Sequence, residues 1–271
     1  MKITMLVENT SSQSSIGAQH GLSLLAEIAG TTILFDMGSD DLFAKNAAVL
    51  GIDLTRVDVA ILSHGHWDHG GGIKAFFALN DHAPLYVQKG AFGPYYSLRG
   101  DGEYHWAGLD QRLAENKRII FTEGERTLGQ GITLFDGIDD RYGVPRGNQT
   151  LFARTGDAYE VDRFSHEQYL ALEEEGTLVL ITGCSHRGIA NIMEAVHTRW
   201  NRWPDVVIGG FHLMDYTADD EEELSKLAGQ LLATGATFHT CHCTGTESYE
   251  VLKHIMGEAL HWASGAMTYT I

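Results

Sequence analysis

The chain has 271 residues, is 44% hydrophobic, and carries 36 acidic against 19 basic side chains for a formal net charge of −17. A chain this acidic lacks the lysine and arginine needed to displace counterions from nucleic-acid phosphates, and the same sign disfavours an anionic membrane surface, so both partners are set aside. The length and apolar content allow one sizeable core and no low-complexity linker divides the chain, so residues 1–271 are read as a single domain.

The opening stretch, residues 1–8, is too short and too soon acidic for a signal peptide, and no apolar run approaches a membrane-spanning length. Three cysteines, two of them at Cys241 and Cys243, make no disulfide framework. A reducing cytoplasm is the expected compartment.

Residues 2–7 read as a first strand and 8–19 as a polar loop. Residues 22–28 and 31–35 follow as strands joined by Ala29-Gly30, a hairpin signal, and Asp36-Met37-Gly38 closes the unit. Residues 40–50, with Ser39 or Asp40 as cap, apolar positions at Leu42, Phe43, Ala47 and Leu50, and Gly51 as stop, predict a helix.

The run Val57, Val59, Ala60, Ile61, Leu62 predicts a buried strand, and Ser63-His64-Gly65-His66-Trp67-Asp68-His69-Gly70-Gly71-Gly72 follows it directly. Three imidazoles and a carboxylate at a strand's carboxyl end are metal-ligating chemistry. Gly65 lets a tight turn bring His64 and His66 to one ion, while Asp68 and His69 face a second, and the glycines behind them let the backbone bend into a helix.

A helix over 72–79 and a strand over 85–88 continue a βαβ rhythm. Residues 91–116 then show no period: aromatic residues such as Tyr95, Tyr96, Tyr104 and Trp106 alternate with glycines, and 91–117 is read as an irregular, lid-like insertion whose rings either stack on a flat substrate or cover a core edge. Strands are predicted over 118–122 and 131–135. The loop over 139–147 carries Arg141 and Arg146, which either hold a substrate phosphate or carboxylate or pair with neighbouring acids.

Residues 168–175 read as the edge of a strand or a short helix leading to a turn at Gly176, and 178–182 as a fully apolar strand ending in Gly183-Cys184-Ser185-His186. After a helix over 189–200, the strand over 206–208 ends in Gly209-Gly210-Phe211-His212, which places His212 in the pocket as ligand, proton donor or substrate grip. An acid-capped helix over 217–232 leads to a last central strand around Phe238-His239-Thr240-Cys241-His242-Cys243, and a helix over 249–260 closes the chain. Adjacent strand residues point to opposite faces, so Cys-His-Cys is a poor zinc finger, and His239 and Cys241 are read as packing residues. His82, His166, His197, His254 and His261 are read as surface or structural.

Taken together, Gln19-His20-Gly21-Leu22-Ser23-Leu24-Leu25, Ile33-Leu34-Phe35-Asp36-Met37-Gly38, Ser63-His64-Gly65-His66, Thr182-Gly183-Cys184-Ser185-His186, Gly209-Gly210-Phe211-His212-Leu213 and His242-Cys243-Thr244-Gly245 resemble the metallo-β-lactamase fold superfamily. Within it they resemble the branch of dihydropterin ribofuranosylaminobenzene phosphate synthase-like proteins. The resemblance runs from the first strand to His242; it is specific for fold and branch and weak for substrate. It implies an α/β (α+β) four-layer αββα sandwich with a metal site along the edge between two sheets.

By this resemblance Asp36 braces the metal loop through hydrogen bonds, where turn statistics alone make it a turn-former before Gly38. Most of the superfamily ends the later strand in Gly-Asp, and that aspartate bridges two metals; here Cys184 stands in its place. Either the thiolate bridges or His186 reaches in. The branch's own phrase favours His186, with Cys184 a weaker candidate or an inert buried thiol. The same comparison assigns His242 as a ligand and lets His20 line the site.

The expected activity is hydrolysis of a small, phosphorylated or cyclic molecule. Two divalent ions, zinc first with iron or manganese as alternatives, would sit on His64, His66, Asp68, His69, His186 and His242 and generate a metal-bound hydroxide. Asp68 and His212 are the candidate catalytic residues. The rivals are a pterin-precursor synthase and a di-iron redox or oxygen-binding protein, the latter lowered by His66 where glutamate would suit iron better. The number of subunits is left open.

Overall fold

The central strands are apolar on both faces, and each face finds a different partner. In the strand Thr31–Phe35, Ile33 and Phe35 pack into the space between two sheets while Leu34 packs against helices; in Thr177–Ile181, Val179 and Ile181 point inward and Leu178 and Leu180 outward. Successive side chains of a strand alternate in direction, so a strand covered on both sides reads as an unbroken apolar run.

The computed structural model describes residues 1–271. One seven-stranded sheet runs, in spatial order, Thr268–Thr270, Lys2–Val7, Ser23–Ile28, Thr31–Phe35, Val59–Leu62, Leu85–Gln88 and Ile119–Thr122. A second seven-stranded sheet runs Leu260–Trp262, Thr237–Thr240, Val206–Gly209, Thr177–Ile181, Tyr169–Glu174, Ile132–Phe135 and Arg126–Gly129. Their facing sides share a core that includes Ile3, Leu24, Ile33, Leu134, Leu170, Val179 and Ile208. The helices Leu42–Val49 and Ile73–Leu79 cover the outer face of the first sheet, and Ile189–Trp200, Glu221–Leu232 and Thr246–Met256 that of the second. This is the four-layer αββα sandwich that the sequence resemblance implied.

The strands from Thr31–Phe35 to Ile119–Thr122 are mutually parallel, as are those from Thr177–Ile181 to Leu260–Trp262. Open α/β sheets bind ligands beyond the carboxyl ends of such strands. Asp36, His64, Cys184, His212 and His242 all leave the sheets at those ends.

Three expectations are corrected. Residues 91–117 are not irregular: Tyr95–Leu98 and Tyr104–Trp106 are strands that join Leu151–Thr155 and Ala158–Val161 in a four-stranded sheet. Tyr104 stacks on Tyr159 with 3.9 Å between ring centroids, and Tyr96 meets Trp106 edge-on, so the aromatic residues hold this small sheet together. Of the two alternatives for 168–175 the strand holds and the short helix does not: Tyr169–Glu174 is a full interior strand of the second sheet, paired on both sides. The last helix ends at Met256, and Leu260–Trp262 and Thr268–Thr270 extend the two large sheets. No helix is long and apolar enough to cross a membrane.

Candidate metal centre

The strand Val59–Leu62 leads through a bend at His64 and Gly65 to His66 in extended backbone, and a single helical turn, Trp67–Gly70, carries Asp68 and His69. Gly65 is required between them by space: a Cβ there would lie 2.9 Å from both the Ala91 carbonyl carbon and the Tyr95 ring. The Gly65 N–H donates to His166 Nδ1 (3.0 Å), and His166 Nε2–H donates to Asp162 (2.9 Å). His166, which the sequence left as surface or structural, is buried, and its hydrogen bond props the metal loop.

Hydrogen bonds fix which nitrogen each histidine turns inward. An ionised carboxylate only accepts, so Asp36 Oδ2 takes the His69 Nδ1 proton (2.7 Å) and the Ser63 hydroxyl proton (2.7 Å), leaving Ser63 Oγ to accept from His64 Nδ1–H (2.9 Å). Asp36 therefore braces two histidines at once and is no ligand itself. His186 Nδ1–H donates to Asn148 Oδ1 (3.0 Å) and His242 Nδ1–H to Asn9 Oδ1 (2.8 Å). The result is repeated: Nδ1 is spent on a partner behind the ring, and Nε2 faces the centre. The Nε2 atoms of His64 and His186, and both ring nitrogens of His212, are buried without any hydrogen-bond partner.

The distant histidines converge. His64, His66 and His186 form one group, and His20, Asp68 and His242 another, with ligand atoms within 4.8 Å of one another in each. His186 thus goes with the loop's first two histidines and His242 with its aspartate. Cys184 lies between the groups, its Sγ 3.1 Å from His69 Nε2. His212 packs beside His186, with 4.1 Å between centroids. Buried, unpartnered imidazole nitrogens beside a carboxylate are a donor set that fits divalent metal ions.

A cavity of about 350 Å³ opens over this cluster, lined among others by His20, His66, Trp67, Asp68, His212 and Met214. Ser97, Arg99, Ala107 and Leu151 form the wall contributed by the small sheet. Arg141 and Arg146 do not reach it: Arg141 pairs with Glu194 (2.7 Å), and Arg146 pairs with Asp220 and lies over the Tyr216 ring. The arginine lining the cavity is Arg99, which makes no ion pair and which the sequence reading passed over.

The model of the metallo-beta-lactamase superfamily matches residues 16–227. The chain belongs to that superfamily. It is 29% identical over 268 residues to the 7,8-dihydropterin-6-methyl-4-(beta-D-ribofuranosyl)-aminobenzene-5'-phosphate synthase of Methanocaldococcus jannaschii, covering 90% of this chain and 88% of that one. A solved structure described as a metal-dependent hydrolase of the beta-lactamase superfamily superposes with a TM-score of 0.85 at 31% identity, covering 100% of this chain and 99% of the other. The metallo-beta-lactamase fold protein YhfI of Bacillus subtilis shares the fold, with a TM-score of 0.59, 13% identity, and coverage of 99% and 98%.

In this metallo-beta-lactamase superfamily member the electrostatics favour neutral imidazoles on one side and bound positive charge on the other. Burial, with other imidazoles nearby, pushes His64 and His186 well below the ordinary histidine range and His66 down to about 3, so their lone pairs stay free. Burial works against charge at His69 too, but Asp36 and Asp68 outweigh it and push that imidazole up to about 9. The Asp68 carboxyl, although burial opposes ionisation, is held well below its usual range by His69, His20 and His242. His20 reaches it from the half-exposed rim, Nε2 to Oδ2, at 3.2 Å.

The superfamily member also stores strain at this edge. Asp36, Ser185, His212 and His242 all have positive φ, between 52° and 59°, in a region that side chains with a Cβ enter at a cost. The strand-end turns aim the side chains against local preference; Ser63 and His69 bonds hold Asp36, Thr182 and Gly210 hold Ser185, and Asn9 holds His242.

Proposed function

We propose that the chain is a metal-dependent hydrolase of a small, anionic molecule, phosphorylated or cyclic. The observation that carries this reading is the convergence of the two donor groups on the floor of the cavity. His64, His66 and His186 would hold one divalent ion, and Asp68 and His242 the other, joined by His69, whose Nε2 lies 3.7 Å from Asp68 Oδ2, with zinc the best match to the nitrogen-rich set. When bound, such ions supply Lewis acidity and bring the pKa of a water near neutrality.

The remaining work falls to the chain. Asp68, held by His20 from the cavity rim, accepts a hydrogen bond from the attacking water and orients it. His212, whose nitrogens have no other partner, passes a proton to the leaving group from its place on the cavity wall. Arg99 neutralises the substrate's anionic group, and Trp67 and Met214 offer apolar surface beside it. A cavity of about 350 Å³ suits a small molecule rather than a polymer. We further place the protein in the cytoplasm as a single domain without nucleic-acid or membrane partners, in keeping with its net charge of −17.

The test is a panel of phosphodiesters, lactones and thioesters offered to metal-loaded protein. Hydrolysis of at least one class, abolished by chelation and restored by zinc, is expected; survival of every class would reject the hydrolase reading. A second reading, a synthase acting on a pterin precursor, is supported by the 29% identity to the Methanocaldococcus jannaschii synthase across 90% of the chain. Product formation from dihydropterin substrates in the same assay format separates the two.

A further inference from the structure

A second cavity, of about 150 Å³, lies on the helix-covered side of the second sheet. Its walls are Val144 and Pro145 from the loop, Ile189 from the helix Ile189–Trp200, Phe211 and Leu213 from the turn that carries His212, and Leu224 from the helix Glu221–Leu232. Buried Asn191 pins the loop in place. Its Oδ1 accepts from the Arg141 and Tyr142 N–H groups (2.9 and 2.8 Å), and its Nδ2–H donates to the Gly143 carbonyl (2.8 Å). Gly188 permits this close approach: its φ is 84°, and a Cβ there would come within 2.8 Å of the Gly143 carbonyl oxygen.

The cavity is mainly apolar, and its polar groups are spent on one another. The Tyr216 hydroxyl donates to Glu223 (3.1 Å) and accepts from the Arg146 N–H (3.2 Å). Glu223 and Lys226, one helical turn apart and both exposed at the mouth, carry opposite charges, so the entrance favours neither sign. A dry apolar cavity of about 150 Å³ is the size that takes up benzene.

The same three loops wall the metal centre. Pro145 lines this cavity and Gly147 the one over the metal centre; Gly188 and His186 divide in the same way, as do Leu213 and His212. Two of these loops carry strained residues, with positive φ at Ser185 (59°) and His212 (52°), and no hydrogen bond fixes the His212 ring. A ligand that spreads Phe211 and Leu213 therefore moves His212 with them.

We propose that this cavity is a second ligand site, which takes a compact, neutral, apolar molecule the size of one aromatic ring, and that its occupancy is coupled to the metal centre through the shared wall. The coupling rests on the metal-centre reading above; the ligand site does not.

The full chain, metal-free and zinc-loaded, is titrated with 4-fluorotoluene and followed by fluorine NMR. One equivalent is expected to bind saturably and to be displaced by benzene, with Kd differing about fivefold or more between the two forms. Leu227→Trp fills the cavity from the helix and Val144→Phe from the loop. Each weakens binding about tenfold or more while zinc content stays at the wild-type level. Saturable binding with equal Kd in both forms overturns the coupling. Absence of saturable binding in folded wild type, or binding that survives both substitutions, overturns the ligand site. A wild type that takes up no zinc overturns the metal-centre reading and the coupling with it, whereas the metal-free titration still decides the site.

Discussion

Asp36 Oδ2 lies 2.7 Å from His69 Nδ1, both side chains wholly buried, and the same oxygen takes the proton of Ser63, which in turn accepts from His64. One carboxylate outside the donor set thereby fixes the tautomer of two histidines inside it. Asp36→Asn offers an amide in place of a pure acceptor and breaks that arrangement. A fall of about 10- to 100-fold in metal affinity is expected, measured by competition with a chelator; unchanged affinity would show that the brace is idle.

The division of donors into two groups predicts separable losses. His186→Ala should release about one equivalent of metal and His242→Ala the other, with the fold retained, because each removes a donor from a different group. Elemental analysis after gel filtration provides the count. Retention of two equivalents in both variants would contradict the division.

Arg99 is the unpaired cation on the cavity wall, whereas Arg141 and Arg146 are engaged elsewhere. Arg99→Ala is expected to raise KM for an anionic substrate about tenfold with kcat within about twofold, and Arg99→Lys to recover part of it. Arg141→Ala serves as the contrasting variant, with KM unchanged. Equal effects of Arg99→Ala on charged and uncharged substrates would rule out recognition of the anion.

Away from the centre, burial and the neighbouring His261 push the His239 imidazole down to about 4 from an ordinary 6.5. The unfolded chain then binds a proton at a higher pH than the folded one, so this residue's contribution is full above pH 6.5 and is lost as pH falls toward 4. The ring is partly exposed, and water screening trims the effect to about 1–2 kcal/mol. His239→Phe should flatten this part of the acid limb in urea denaturation run at a series of pH values; an unaltered slope would remove His239 as its source.

Local spacing made the metal loop legible. His64, His66, Asp68 and His69 lie within one strand end and one turn, and the parallel strands announce themselves as apolar runs because both faces are buried. The resemblance carried by the separate phrases then supplied the sandwich and pointed to His186 and His242. What no local pattern carries is the pairing of residues far apart: Asn9 with His242, 233 positions away, or Asn148 with His186. Arg99 reads as one exposed arginine among several until residues 95–97 pair with 151–153 and bring it to the cavity wall.

Sequence by itself thus determined which side chains can donate to a metal and that they stand at the ends of buried strands, since both are properties of short segments. Only the tertiary structure decided which nitrogen each ring presents and how His186 and His242 divide. Those depend on hydrogen bonds and packing between separate segments, from 33 residues apart for Asp36 and His69 to 233 for Asn9 and His242, whose geometry exists only once the two sheets have closed on each other.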